Sequence, residues 1–350
     1  VNAHKGIWTA LKVLAVLLVP VLLWLVLSHI GFGRVIEAMR RASARAILIA
    51  ALLYLAVFVL WTLRWQLLMK RKERKSIAAL LPIYMAGIFG NMVTPGARVG
   101  GEPVRAFYMS RAFGGEKSAH LGVVLVDKLG NGAVFMLFLV ASVIFIALSI
   151  PLGTAVKAGL AGGALLATAV TVGGLLATDK AKLRSHLVGR ILPAIYGSAL
   201  LRFVRRTFPT YDHFESYVTR KLRNVFGPMA HAAGSPKALA KILLISAVSW
   251  LLFYLAHYVL FAELGARIDF VKAAVIVTVA SFLGDASFTP GGAGFTEAAM
   301  IGLCAAYGVD ADAAAAVTLI SRGLFYAYGL GLGALCLGAL AALYGRRAQE

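Results

Sequence analysis

The chain has 350 residues, 60% of them hydrophobic and only 14% charged, with a mean hydropathy of +0.83, whereas a soluble domain carries about a quarter charged residues. The net charge is +20, but Lys and Arg stand in short blocks beside apolar runs, which argues against nucleic acid as the partner and for cytoplasmic loops and juxtamembrane anchors. Apolar runs of about 20 residues suffice to cross a hydrocarbon layer roughly 30 Å thick, and they do not alternate in period two as a porin-like barrel would. The fold class is therefore all-α: a polytopic membrane helix bundle.

The first apolar run, 13–27, follows Lys5 and Lys12. No small-x-small cleavage site follows at 28–30, so it reads as a retained span rather than a signal peptide. A second span, 47–69, ends at KRKERK (70–75), where five of six residues are basic, a cytoplasmic mark. Residues 77–96 are apolar but broken by Pro82, Gly87, Gly90, Pro95 and Gly96, and a short piece continues to Arg111. A long span, 121–150, carries Asp127, Lys128 and Asn131, and 152–177 returns after Pro151. Residues 179–237 are rich in Lys and Arg, opposed only by Asp179, Asp212 and Glu215, with aromatic residues interleaved. They read as an amphipathic, interfacial, cytoplasmic segment. Spans resume at 239–262. The stretch 271–300 is again broken, by Gly284, Pro290, Gly291, Gly292 and Gly294, and the last span, 314–344, contains Arg322.

The two broken stretches are related. Thr94-Pro95-Gly96, with Glu102 seven residues after the proline, recurs as Thr289-Pro290-Gly291 with Glu297 at the same distance, an offset of 195 residues. The same offset lays Asp127 on Arg322 and Arg64 on Val259, beside His257 and Tyr258. The chain thus reads as one membrane domain, 1–350, with repeat one at 47–150 and repeat two at 239–345, joined through the basic segment 179–237. Placing KRKERK and 179–237 inside sends the two broken hairpins into the bilayer from opposite faces, an inverted repeat, and puts both termini in the cytoplasm. Arg34, Arg40, Arg41 and Arg45 then fall outside, against the usual bias, unless an interfacial helix holds them. Whether 77–111 and 271–308 are re-entrant or fully spanning is left open by charge alone.

Inverted repeats with broken helices are the architecture of many secondary transporters, and half-helix N-termini offer free N–H groups and a positive dipole end to anions. Pro95, Gly96, Gly100, Gly101 and their counterparts Pro290, Gly291, Gly292 and Gly294 turn the chain inside the membrane. Pro103 suits the first turn of the returning half-helix, where Glu102 and Arg105 can share a face. Arg98, Glu102, Arg105, Asp127, Lys128, Asp285, Glu297 and Arg322 are the candidate substrate-binding residues. An ionised side chain at a helix centre costs about 2.5–3.5 kcal/mol on insertion scales, so such a set must pair internally or face a wet cavity. In one reading Glu102–Arg105 and Asp127–Lys128 are local pairs that lock the hairpins. In the other, arginines hold a phosphate and carboxylates balance them, or hold an ammonium group or a proton. Lys128 and Arg64 also fit snorkelling to the interface. Gly159/Gly163 and Gly329/Gly333 have the spacing of close helix packing. His257 reads as a satisfied packing residue, and Cys304 and Cys336 as small hydrophobes in apolar helices. No metal spacing and no nucleophile–base–acid arrangement stands out, so neither cofactor, metal nor catalytic residue is expected.

These motifs resemble the lysylphosphatidylglycerol synthetase transmembrane-region family, the flippase-like membrane domains. The likeness rests on GNMVTPG (90–96), GGEPVR (100–105), VDKL (126–129), TPGGAGFTEAA (289–299) and Arg322, and covers roughly 46–345. The resemblance implies that the membrane part flips a lipid between leaflets and that the family's Glu and Arg positions correspond to Glu102, Arg105, Glu297 and Arg322. Where many members have arginine, this chain has Lys128. The chain ends at Glu350, soon after its last span, so the synthetase activity of the two-part members is not carried over. The expected function is a lipid flippase or transporter in the cell membrane. It would move a phospholipid, aminoacyl-phospholipid or polyprenyl-phosphate headgroup, anionic or zwitterionic, through a midplane polar cavity without covalent chemistry. The alternatives are a small-anion or ion-coupled transporter and a membrane anchor for a separate enzyme through 179–237. A homo-oligomer and a partner enzyme are compatible with either.

Overall fold

The computed structural model describes residues 37–149 apart from 38, 71–72 and 95–98, scattered positions between 153 and 169, residues 192–197, 208 and 210–233, and 236–344 apart from 288. The expected span 13–27, Arg34, Pro95, Gly96, Arg98, most of 152–177 and much of 179–207 lie outside the described residues. The described elements are helical, with no strand among them. They are α1 Ala44–Leu68, α2 Ile77–Val93, α3 Gly101–Phe113, α4 Lys117–Ser149, the short α5 Leu192–Gly197, and α6 Tyr211–Ala233. After these come α7 Pro236–Glu263, α8 Phe270–Ala286, α9 Phe295–Ala306, α10 Ala311–Tyr326 and α11 Gly333–Tyr344. Four stretches are long and apolar enough to cross a membrane: Ala44–Leu68, Lys117–Ser149, Lys237–Glu263 and Ala311–Tyr344.

Cap chemistry sets where several of these helices begin. The Ser43 hydroxyl accepts the Ala46 N–H at 3.2 Å ahead of α1, and Ser76 accepts the Ala79 N–H at 3.3 Å ahead of α2. Asp269 does the same for α8, accepting from Lys272 N–H at 2.8 Å. That hydrogen bond holds the Asp269 carboxyl below the usual carboxylate range. Asp310 caps α10 by accepting from Asp312 and Ala313 N–H. Each cap satisfies N–H groups that a helix start otherwise leaves without partners.

The order long helix, shorter helix, break, half-helix, long helix occurs twice: α1–α2–α3–α4 and α7–α8–α9–α10. The first long helices of the two halves, α1 and α7, pack along one another, joined by Tyr54 O–H donating to His257 Nε2 at 3.3 Å. Helix α4 packs against α3, α7 and α8, and the amphipathic α6 lies on α4. The breaks themselves meet. Helix α2 touches the Pro290–Gly292 turn, where a Cβ added at Gly291 would come 3.8 Å from the Met92 carbonyl oxygen.

The last span differs from a plain helix. Between α10 and α11 the backbone widens into a π turn, Ala327–Leu332, of the kind that interrupts a helix where packing demands it. Gly329 within it and Gly333 at the start of α11 admit α2: a Cβ at Gly329 would fall on Met92 Sδ, and one at Gly333 would lie 2.9 Å from the Met85 carbonyl. Gly159 does not behave so, since a Cβ there would meet nothing within 4 Å.

Close approach of backbones also shapes the first hairpin. A Cβ added at Gly101 would fall on the Gly87 carbonyl oxygen and lie 2.8 Å from Asn91 Cγ. The Gly101 N–H donates to Asn91 Oδ1 at 2.7 Å, so α2 caps the start of α3. Gly101→Ala is expected to lower stability by about 1–3 kcal/mol through overpacking. Gly302→Ala in α9, where a Cβ meets nothing within 4 Å, is expected to be neutral or mildly stabilising. Thermal unfolding of both variants in detergent checks this.

Candidate functional site

Three helices deliver the first charged set. Arg64 on α1 is 1% exposed and Asp127 on α4 is 1% exposed. Arg64 Nε donates to Asp127 Oδ1 at 2.7 Å. Its Nη1 donates to Asn131 Oδ1 at 2.6 Å and to Ser246 Oγ on α7 at 3.1 Å. Arg105 on α3 reaches the other oxygen of the same carboxylate, Nη2 to Asp127 Oδ2 at 2.9 Å. Its guanidinium carbon lies 4.2 Å from the ring centres of both Trp65 and Tyr84, a cation–π arrangement that suits a planar, weakly hydrated cation. Glu102, at the start of α3, pairs with Lys128 Nζ at 2.9 Å, and its position in the first turn also suits the helix dipole.

The pairing therefore crosses between elements. Arg105 goes to Asp127 and Glu102 to Lys128, in place of the local pairs Glu102–Arg105 and Asp127–Lys128 that the spacing allows. Arg64 does not snorkel; its side chain turns inward to Asp127. Among the described residues the set joins, through ion pairs, three cations, Arg64, Arg105 and Lys128, to two carboxylates, Asp127 and Glu102. It is not saturated: Glu102 Oε2 and Arg105 Nε are buried without a hydrogen-bond partner among the described residues. The Lys128 side chain is 40% exposed, so this end of the cluster reaches accessible space.

The second set is built on the second break. Gly291, Gly292 and Gly294 have φ of 61°, 72° and 81°, a left-handed backbone that side-chain-bearing residues resist. The turn aims Glu297 back at the start of its own helix, where Oε2 accepts the Gly294 N–H at 2.8 Å. Arg322 Nε donates to Glu297 Oε1 at 2.7 Å and Nη2 to the Gly291 carbonyl at 2.9 Å. Tyr326 O–H donates to Glu297 Oε1 at 3.2 Å. Both carboxylate oxygens are thus occupied, and the arginine clamps the turn. The cavity beside Arg322, lined with Tyr54, Trp61, Trp250, His257 and Thr296, measures about 30 Å³, enough for water. His257 is satisfied there, with Nδ1 donating to the Phe253 carbonyl at 2.8 Å and Nε2 facing Tyr54.

Of the residues singled out by sequence, the structure brings Glu102, Arg105, Asp127 and Lys128 together and joins Glu297 to Arg322. No hydrogen bond links the Arg64/Arg105/Asp127 set to the Glu297–Arg322 pair among the described residues. Asp285 is half-buried, one residue before the end of α8. Arg64, Trp65, Tyr84, Asn131, Ser246 and Tyr326 join the two sets without having been selected. For Arg64 a signal existed. It lies on the buried stripe of α1 that runs Tyr54, Phe58, Trp65, Leu68, at the spacing of one helix face. No group of His, Cys, Asp and Glu able to hold a metal ion occurs among the described residues.

The sequence matches the family described as lysylphosphatidylglycerol synthase TM region over residues 12–333. It is 28% identical to UPF0104 membrane protein PH1989 of Pyrococcus horikoshii, covering 89% of this chain and 91% of that protein. A UPF0104 membrane protein of Methanothermobacter thermautotrophicus is 26% identical, over 91% and 90% of the two chains. A third, MJ1595 of Methanocaldococcus jannaschii, is 21% identical over 86% of each. No solved structure matches the chain. With nearly its whole length matched, the chain is a membrane protein of the lysylphosphatidylglycerol synthase TM region family.

Proposed function

We propose that this protein moves a phosphate-bearing lipid headgroup across the bilayer, and that Arg64, Glu102, Arg105, Asp127 and Lys128 receive it. The observation that carries this reading is the unsaturated cluster at the first break, where Arg105 Nε and Glu102 Oε2 are buried without a hydrogen-bond partner among the described residues beside the half-exposed Lys128. The buried members Arg64, Arg105, Asp127 and Glu102 balance in charge, and the additional cation, Lys128, has a side chain that is 40% exposed, so the positive end of the cluster is the end an anion can reach. A phosphate oxygen would take Arg105 Nε and draw Lys128 from Glu102. Glu102, so released, would hold an ammonium group of a zwitterionic or aminoacylated lipid, or a proton. The family match to a lysylphosphatidylglycerol synthase membrane region supports a phospholipid or aminoacyl-phospholipid; a polyprenyl phosphate shares the recognised phosphate.

An apolar groove supports a lipid over a soluble anion. It measures about 780 Å³ and runs along the outer side of α3, lined by Val104, Phe107, Leu121, Val218, Leu222 and Leu337, with Lys117 and Lys221 at its rim. A hydrocarbon chain lying there would stay in an apolar setting while the headgroup occupies the cluster. The reading contains no covalent step. The Glu297–Arg322 pair holds the second break in shape and does not contact the headgroup.

The test is lipid translocation by the purified protein in vesicles. Arg105→Ala is expected to slow it by roughly 10- to 100-fold, since a hydrogen bond to a charged group is worth about 1.5–3 kcal/mol. Asp127 keeps Arg64 as a partner, so the variant should still fold, and Arg105→Lys should recover part of the rate. Unchanged translocation by both Arg105→Ala and Glu102→Gln would remove the cluster from the transport path.

A further inference from the structure

A second cavity, of about 320 Å³, opens where α1 and α3 end and α4 begins. Its mouth carries Lys70, Glu73 and Lys75 after α1, and Gly114, Gly115 and Glu116 between α3 and α4. Its floor is made of Trp65, Leu68, Met109 and Val123. The register of this floor is informative. Leu68 follows Arg64 by four residues, Met109 follows Arg105 by four, and Val123 precedes Asp127 by four. Residues four apart share a helix face one turn, about 5.4 Å, from each other. Three separate helices therefore place an apolar residue one turn toward the mouth from each member of the Arg64–Arg105–Asp127 cluster. Trp65 completes the layer, lining the cavity on one side while its ring stands 4.2 Å from the Arg105 guanidinium.

The layer closes the site without being locked. Leu68, Met109 and Trp65 are 4%, 2% and 1% exposed, so a single turn of apolar side chains separates the mouth from the charges. The Trp65 indole N–H has no hydrogen-bond partner among the described residues, and methionine is the most adaptable of apolar side chains. At the mouth, Gly114 and Gly115 have φ of 77° and 86°, and a Cβ at Gly114 would meet nothing within 4 Å. That pair turns the chain from α3 into α4, held by Ser110 Oγ donating to the Gly115 carbonyl at 2.7 Å and His120 Nε2 at 2.8 Å from the Gly114 carbonyl, so opening falls to the side chains of the layer rather than to this turn.

We infer that this vestibule is the water-side entrance to the charged cluster, and that Trp65, Leu68, Met109 and Val123 are the gate that admits phosphate-type anions from the side bearing Lys70 and Lys75. The route rests on geometry alone; only the identity of what passes rests on the headgroup reading. Opening requires the indole to leave Arg105 and the Met109 side chain to swing aside, which joins the mouth to the unpartnered Arg105 Nε.

The experiment uses a reporter cysteine behind the gate. Ser246, whose Oγ accepts from Arg64 Nη1 at 3.1 Å, is changed to cysteine in a Cys304→Ala, Cys336→Ala background. The probe is the anionic, impermeant sulfonatoethyl methanethiosulfonate, applied to one face of sealed vesicles at a time. Glu73→Cys identifies the vestibule face and serves as a control whose rate the gate does not alter. Trp65→Ala and Met109→Ala are each expected to speed Ser246→Cys labelling roughly tenfold from the vestibule face only, equivalent to about 1.4 kcal/mol in the opening equilibrium. Met109→Trp, which overfills the gate, is expected to slow it. Equal labelling from both faces, or rates indifferent to all three gate variants, would overturn the entrance. Labelling that follows the gate while no variant affects translocation of a fluorescent phospholipid upholds the entrance and overturns the headgroup reading instead.

Discussion

Asp127→Ala is expected to destabilise the protein by about 3–5 kcal/mol, the range seen when one partner is removed from a buried ion pair. The carboxylate is 1% exposed and spends one oxygen on Arg64 at 2.7 Å and the other on Arg105 at 2.9 Å. Its loss leaves two buried guanidinium groups without the carboxylate that pairs both of them, and Glu102, the other carboxylate of the cluster, is engaged with Lys128. Arg64 retains Asn131 and Ser246, which accept hydrogen bonds but carry no charge. Asp127→Asn is expected to fall between, since it preserves shape and one acceptor. The double change Arg64→Met with Asp127→Asn should recover stability relative to Asp127→Ala, because one of the stranded charges is gone. Thermal unfolding in detergent, with a monodisperse elution profile as the folding check, reads all three. An Asp127→Ala protein that melts within about 1 °C of the parent, a shift that corresponds to less than about 1 kcal/mol in a chain of this length, would show that these charges are not the buried cluster described.

Glu297→Ala is expected to be nearly as damaging, for a different reason. One carboxylate performs three tasks: it accepts the Gly294 N–H that opens α9, neutralises Arg322, and accepts from Tyr326. The substitution removes a cap worth about 1 kcal/mol and strands a buried arginine. Glu297→Gln keeps the cap and the shape but loses the charge, so its melting temperature should lie between those of Glu297→Ala and the parent. On the proposed transport reading, a Glu297→Gln protein that folds is expected to keep most of the translocation rate, because both oxygens of the Glu297 carboxylate are already engaged within the turn. The contrast with Arg105→Ala is the test of how the two halves divide their roles. Rates that fall equally in folded Glu297→Gln and Arg105→Ala would show that both clusters receive the substrate.

Several features were legible in the sequence because they depend on local physics. Apolar length gave the long helices, and prolines and glycines at 95–101 and 290–294 marked the breaks, since breakers free backbone groups that lipid cannot satisfy. The 195-residue offset anticipated the twice-used order of helices. Pairing was not legible in the same way. Glu102 and Arg105 sit three residues apart, a spacing that invites a local bridge, yet α3 turns them toward different residues of α4. Arg64 stands six residues from Lys70, close enough to the span's end to read as an interfacial cation. Only the packing of α1 against α4 and α7 directs it inward, to Asp127 and Ser246. The π turn between α10 and α11 was also invisible, because it answers the approach of Met92 and Phe89 from another helix.

The sequence by itself determined that this is a helical membrane protein and where the described helices break, because hydropathy and backbone freedom are properties of short stretches of chain. The tertiary structure alone decided which charge meets which, that the first cluster is left unsaturated while the second is closed, and that one apolar turn stands between that cluster and a vestibule. These are outcomes of helices far apart in sequence coming within a few ångströms, where a buried charge is governed by whatever partner the packing supplies.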